Sequence, residues 1–314
     1  MSRWSTFHMD EAKLGELPSL PADAVLRHAD LVIGRKPKPI ELYQRWERQQ
    51  WSAEDLSLGK DHDMLNHPLL PENVRVMLKE AIATFIIGEY TGLDMLGPIL
   101  MGCPDEEYAL FLGTQIADET RHARAVFRLG EEVLEMSENP RAMLAEAWQI
   151  ATPAHRELSM LETSIVRDLT NSPPDYGRWL QACTLFHLIT EGVLALIGQR
   201  ALVHSLRDTR MFDGIKAAFT AMCRDESRHI SFGLHALRTG VQEGYGDYIY
   251  EALEQAVPLA LRMDEEFESG DSREQDKIRQ MSVDILRRHL GNIGADPKFV
   301  AHLTNPYDLS LARQ

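Results

Sequence analysis

Cysteine is scarce in this chain. Cys103, Cys183 and Cys223 are the only three in 314 residues, too few and too scattered for a disulfide framework or a thiolate metal site. A reducing cytoplasm is the expected compartment. Positive charge is also in deficit: 33 Lys and Arg stand against 48 Asp and Glu, a formal net charge of −15. That balance argues against a nucleic-acid partner, because displacing counterions from a phosphate backbone takes clustered cations. The opening residues, Met1 to His8, lack the basic start and apolar run of a secretory signal. No stretch reads as the uninterrupted apolar run of a membrane span, and no segment alternates with the period of a strand. What remains, with 44% hydrophobic residues, is a globular protein long enough to bury a sizeable core without cross-links.

What is present is helical periodicity. From Pro71 to about Tyr250 the chain reads as long amphipathic helices broken by Pro, Gly and Asn, so the fold class is all-α. One helix is expected over Pro71–Met101, and the next opens at Pro104-Asp105-Glu106-Glu107, a proline and three acids suited to a helix N-terminus. A connecting helix is expected from Asn139-Pro140 to about Leu169, and Asn171 to Asp175 then punctuates the chain. A further helix starts near Met211 and runs to Gly240 or beyond. Another follows from Asp247 with a kink at Pro258, and a last one covers Glu274 to Leu290. Residues 1–70 are less regular and are expected to wrap a helical bundle spanning 71–292, with 293–314 as a C-terminal tail.

Two Glu-x-x-His units carry the chemistry: Glu119-Thr-Arg-His122 and Glu226-Ser-Arg-His229. Residues three apart share a helix face, so each unit can present both donors to one ion. Each unit also follows another glutamate, Glu89 or Glu191, by 30 or 35 residues, one helical hairpin per half. Both of these glutamates sit in apolar helix (Phe85-Ile-Ile-Gly-Glu89 and Leu188-Ile-Thr-Glu191-Gly-Val-Leu), where an uncompensated carboxylate is expensive. Four glutamates and two histidines arranged in this way are the donor set of a ferritin-like four-helix bundle with a dimetal-carboxylate site. Oxygen-rich donors with two imidazoles suit iron or manganese better than zinc or copper. Four inward carboxylates would match two divalent ions. Asp118 and Asp225, each preceding a motif glutamate, are candidates to accept the second ring nitrogen of a ligand histidine.

The segments Phe85–Glu89, Ala117–His122, Thr190–Gly198 and Arg224–Gly233 resemble the metal-bearing small subunit of ribonucleotide reductase. More closely still, they resemble its relatives, the ligand-binding heterodinuclear Mn/Fe oxidases. Trp51 to Asp61 and Val257 to Arg262 resemble further segments of that group, so the similarity runs from about Glu41 to Phe267. The resemblance implies Glu89, Glu119, His122, Glu191, Glu226 and His229 as ligands of Fe/Fe or Mn/Fe. It implies Trp51, Asp225 and His122 as an electron route to the nearer ion, O2 as co-substrate, a homodimer and an external electron donor.

The departures from the family are informative. Reductase subunits usually carry a radical-storing tyrosine four residues after the first ligand histidine, where this chain has Val126. The oxidases form a Tyr–Val ether at positions held here by Phe186 and Gly92, a pair expected to leave extra room beside the metals. His187, one turn before Glu191, could be a ligand, an outer-shell donor or a core histidine. Met222 stands where dimetal arylamine N-oxygenases carry an additional histidine. The resulting expectation is an O2-activating dimetal oxidase acting on a bound, largely apolar small molecule. Phe85, Ile86, Leu93, Phe186, Leu188 and Val193 are apolar residues near the ligands. The alternative is a radical-generating subunit serving a separate reductase, for which Tyr307 would be the tail tyrosine.

Overall fold

The computed structural model describes residues 9, 12–207, 211–262 and 272–311. The start of the chain used against a secretory signal, the end of the resemblance at Phe267 and the last three residues of the tail lie outside them. Among the described residues all regular structure is helical. Four long helices form the central bundle: α4 (Glu72–Met101), α5 (Glu106–Glu132), α8 (Tyr176–Leu206) and α9 (Asp213–Gln242). Three short helices precede them, α1 (Ala22–Gly34), α2 (Pro39–Trp46) and α3 (Gly59–Leu65). Between the two bundle pairs come α6 (Pro140–Ile150) and α7 (Pro153–Asn171); after them come α10 (Gly246–Ala260), α11 (Ser272–Ile293) and α12 (Pro297–Thr304).

The helix starts follow from their caps. Asp105 accepts from the Glu107 and Tyr108 amides at 2.8 and 3.1 Å, satisfying donors that have no partner within α5. Asn139 and Asp175 do the same for α6 and α8. Where one connecting helix is expected over Asn139–Leu169, the structure has two. Pro153 removes a backbone donor, and Thr152 caps the His155 amide at 3.2 Å, so the chain breaks at Ala151-Thr152 and restarts as α7. Pro258 does not kink a longer helix; α10 ends two residues beyond it.

Helix α8 is 31 residues long and apolar enough, by length and composition alone, to cross a bilayer, but it is a core helix of the bundle. Its most apolar stretch is 78% buried in the bundle, against α9 and its neighbours, and near the start of the helix Trp179 donates to the Ile99 carbonyl at 2.8 Å. Its middle, Thr184–Ala195, is wound as a π-helix. A π segment of that length is rare and tends to occur at functional sites.

Close approach of α8 and α9 depends on Gly233. A β-carbon there would lie 2.1 Å from that of His187. At the start of α9, Asp61 accepts from the Ile215 amide at 2.6 Å. Gly214 passes so near Ser57 and Asp61 that a side chain could not be added without displacement. The N-terminal region lies along the bundle, α1 on α9 and α2 on α5. At the other end Arg287 of α11 donates to Thr304 and Asn305, both at 2.9 Å, and binds Asp308. Tyr307 is half-buried in this junction.

The overpacking cost of Gly233→Ala is expected to be about 2 kcal/mol or more, because both helix backbones are fixed and neither can retreat. Urea denaturation checks this; a variant within about 0.5 kcal/mol of the parent would show that the two helices are free to separate.

Candidate metal centre

Each bundle helix supplies the central cluster. Glu89 comes from α4, Glu119 and His122 from α5, Glu191 from α8, and Glu226 and His229 from α9, all buried. They form two overlapping groups, Glu89, Glu119, His122 and Glu226 in one, and Glu119, Glu191, Glu226 and His229 in the other. Within each group one donor atom per residue lies within 4.8 Å of every other. His122 Nδ1 is 3.5 Å from Glu89 Oε2 and 3.6 Å from one oxygen each of Glu119 and Glu226. His229 Nδ1 is 3.1, 3.2 and 3.3 Å from oxygens of Glu119, Glu191 and Glu226. The residues common to both groups are the two motif glutamates, Glu119 and Glu226, which would therefore serve both ions.

The donor chemistry fits two cations. Glu119 Oε1, Glu191 Oε2, Glu226 Oε2 and the Nδ1 atoms of His122 and His229 are buried and find no hydrogen-bond partner among the described residues. Such atoms are costly unless something else satisfies them. Burial raises the Glu89 carboxyl to about 8 and pushes Glu191 well above the usual carboxylate range. Burial acts on Glu119 in the same sense, but His122 and His229 outweigh it and hold that carboxyl low. A dry volume holding this many acids keeps protons unless metal ions replace them.

Around this cluster lies an outer ring with approximate two-fold repetition. Asp225 Oδ2 is 3.3 Å from His122 Nε2 and accepts from the Trp51 indole at 2.7 Å. Asp118 Oδ2 is 3.1 Å from His229 Nε2, while its other oxygen accepts from the Trp46 indole at 2.9 Å. Each aspartate thus serves the histidine of the opposite motif. Fully buried Arg228 donates to Asp118 at 2.6 Å and Asp225 at 2.8 Å, and also binds Gln49; Arg121 binds Asp118. Burial alone would raise both aspartates, but Arg228 in particular keeps them low and therefore charged. Gln115 and Gln199 donate to Glu191 and Glu226 at 2.8 and 3.3 Å.

All six residues proposed as ligands are brought together, and Asp225, with Trp51 hydrogen-bonded to it, lies beside His122. His187 is in neither donor group; its Nε2 pairs with Gln115 Oε1 at 3.1 Å, and Gln115 in turn holds Glu191. The room that Gly92 leaves is not open space. The Phe186 ring fills it, with a carbon 2.9 Å from where a Gly92 β-carbon would sit. The sequence reading missed Trp46, Arg228, Gln115 and Gln199. For Trp46 the symmetry of the two halves was an available signal, since its distance from Trp51 is short in the chain and two aspartates required donors.

The carboxylate side of the cluster opens into a cavity of about 500 Å³ between α4, α7, α8 and α11, with Glu89, Glu119, Glu191 and Glu226 in its wall. Phe85, Leu158, Phe186, Leu194 and Ile197 line it, along with Glu162, His155 and Thr190. His122 and His229 do not line it. Of the apolar residues singled out in the sequence, Phe85 and Phe186 reach this wall; Ile86, Leu93, Leu188 and Val193 do not.

A family model described as the small chain of ribonucleotide reductase matches residues 33–306. Solved structures share the fold. A tyrosine-to-phenylalanine variant of R2-like ligand-binding oxidase with an aerobically reconstituted Mn/Fe cofactor superposes with a TM-score of 0.72 at 19% identity. That match covers 82% of this chain and 94% of the other. A valine-to-isoleucine variant with an anaerobically reconstituted Mn/Fe cofactor gives 0.73 at 18% identity, covering 83% and 94%. A glycine-to-phenylalanine variant, also anaerobically reconstituted with Mn/Fe, gives 0.71 at 18% identity, covering 83% and 95%.

Glu89 is protonated in the metal-free protein below about pH 8, and a metal must displace that proton. Uptake of Fe(II) or Mn(II) is therefore expected to release protons, with affinity still rising between about pH 6 and pH 8, where ordinary carboxylates have long been ionised. Calorimetric titration in buffers of different ionisation enthalpy measures the protons released; an affinity flat across that interval would contradict the burial argument.

Proposed function

The chain belongs to the ribonucleotide reductase small-chain family, and from that premise we propose that it is an O2-activating dimetal oxidase whose target is a small, largely apolar organic molecule. The observation that carries this reading is the cavity of about 500 Å³ whose wall includes four of the six donor residues. Such a volume suits a small-molecule ligand.

Glu89, Glu119, His122 and Glu226 would hold one ion, and Glu119, Glu191, Glu226 and His229 the other. The pair would be Fe/Fe or Mn/Fe, Mn/Fe being the cofactor named for solved structures of this fold. Two such ions supply the redox chemistry that activates O2. The chain's own residues do the rest. Asp225 and Asp118, held ionised by Arg228, accept the Nε2–H of His122 and His229, which fixes the tautomer and leaves each Nδ1 lone pair facing the cluster. Trp51, hydrogen-bonded to Asp225, would pass electrons inward from a separate donor. The apolar wall excludes water from the bound substrate. Val126, fully buried, offers no phenol for radical storage, and Phe186 cannot form the tyrosine ether. We place the enzyme in the cytoplasm as a homodimer.

Purified protein is expected to bind about two first-row ions per chain, and Glu119→Ala or Glu226→Ala to lose at least one of them, as read by elemental analysis. Full occupancy in both variants would remove the ligand assignment. Exposure of the reduced, loaded protein to O2 should leave no long-lived tyrosyl signal in electron paramagnetic resonance, and candidate amphiphiles should be oxidised as O2 is consumed. A stable tyrosyl signal, together with activity gained only on mixing with a reductase-type partner, would favour the radical-subunit reading.

A further inference from the structure

Resting on the reading of the centre as an O2-activating pair of ions, we propose that Trp46, continued outward by Tyr43, is a second entry for electrons. It serves the ion on His229, beside the Trp51 route to the ion on His122.

The two ends of the cluster are built alike, but their indoles stand in unlike surroundings. From His229 Nε2 it is 3.1 Å to Asp118 Oδ2, and the other oxygen of that carboxylate accepts the Trp46 indole N–H at 2.9 Å. One carboxylate therefore joins the indole to a residue of the centre. Beyond Trp46 stands Tyr43, its ring centroid 6.2 Å away, and the Tyr43 hydroxyl donates to Glu47 Oε1 at 2.9 Å. Both rings belong to α2 and are half-buried, so the series reaches from the centre to the protein surface. Trp51 is closed in by comparison: it is 9% exposed, and the Arg121 guanidinium lies 5.5 Å over its ring. An indole N–H that finds a carboxylate needs no redox explanation by itself. The continuation through Tyr43 to the surface is what makes a path.

Charge supports the assignment. Each indole has an aspartate at its N–H, and a carboxylate there offsets positive charge on a ring that gives up an electron. At Trp51 the Arg121 cation cancels part of that help, because it is drawn to the electrons of the ring face and makes their removal harder. Tyr43 has a proton acceptor in Glu47, so its phenol can lose an electron and a proton together. The exchange balances one electron at a time. The oxidised centre gains an electron from Trp46, whose proton stays on Nε1; Tyr43 refills the indole, its proton passing to Glu47; and an external one-electron donor, a reduced flavin or iron–sulfur protein, restores Tyr43 as the proton returns. Each of two ions that change oxidation state singly thus has an indole of its own.

The test is to withhold the donor and find where the electron is missing. The full chain, loaded anaerobically with Fe(II), is exposed to O2 without substrate or further reductant, and oxidised tryptophan and tyrosine are located by peptide mass mapping. Trp46 and Tyr43 are expected to be oxidised about fivefold or more above Trp148, an equally half-buried indole on α6 that answers to diffusing oxidants alone, and metal-free protein to lack the contrast. Trp46→Phe should lower Tyr43 oxidation by a similar factor with two ions still bound, whereas Tyr43→Phe should leave Trp46 oxidised. Equal oxidation of Trp46 and Trp148, or Tyr43 oxidation undiminished in W46F, overturns the proposal. If W46F does not fold or loses metal, the contrast between Trp46 and Trp148 in the loaded parent decides it. Failure of the dimetal reading would appear separately, as fewer than two ions per chain; two bound ions with Trp46 unmarked would remove the second entry alone.

Discussion

Six carboxylates buried within one helical bundle set the constraint from which the rest of this architecture follows. Glu89, Glu119, Glu191 and Glu226 form the inner set, Asp118 and Asp225 the outer one, and all are 5% exposed or less. Unpaired, each would cost several kcal/mol of desolvation. The two sets are compensated differently. The outer aspartates are matched within the protein by Arg228 and Arg121 and by indole and imidazole donors. Among the described residues the inner glutamates have no arginine or lysine partner, only two histidines and two glutamine amides. The inner ring is therefore left for cations from outside, while the outer ring is neutral by itself and can hold its shape before any ion arrives.

That division explains which parts were legible in the sequence. The inner ring follows local periodicity: Glu-x-x-His puts both donors on one face, and a glutamate in an apolar helix advertises its need for a partner. The outer ring is only half readable in this way. Asp118 and Asp225 precede the motif glutamates and so point about 100° away from them. Their histidines come from the opposite motif, a pairing created by helix packing. Arg228 occupies a motif position that resembles any solvent-facing arginine, and it becomes the central cation only because α9 is buried along nearly its whole length. Gln115 and Gln199 carry no local signal at all. The break at Pro153 was readable from proline chemistry; the π winding of Thr184–Ala195 was not, since its residues alternate no differently from those of an apolar α-helix.

The geometry also gives the centre two unlike sides. On one, the histidine Nε2 atoms face Asp225 and Asp118, and these lead to Trp51 and Trp46 in the segment that precedes the bundle. This side is closed by ion pairs and presents indoles, groups suited to orienting ligands and carrying electrons. On the other, four glutamate carboxylates border a cavity whose wall excludes both histidines. This side is apolar and roomy. A site that was symmetric in sequence is thus asymmetric in access, because α7 and α11 cover the carboxylate side loosely while the N-terminal segment seals the histidine side. Phe186 marks the boundary: it fills the space over Gly92 and lines the cavity as well, so a change in its size would alter both the packing of α4 on α8 and the chamber next to the donors. The proposed substrate chamber and the aspartates that orient His122 and His229 thus lie on opposite faces of the centre, so the cavity wall can vary without disturbing the hydrogen bonds to those imidazoles.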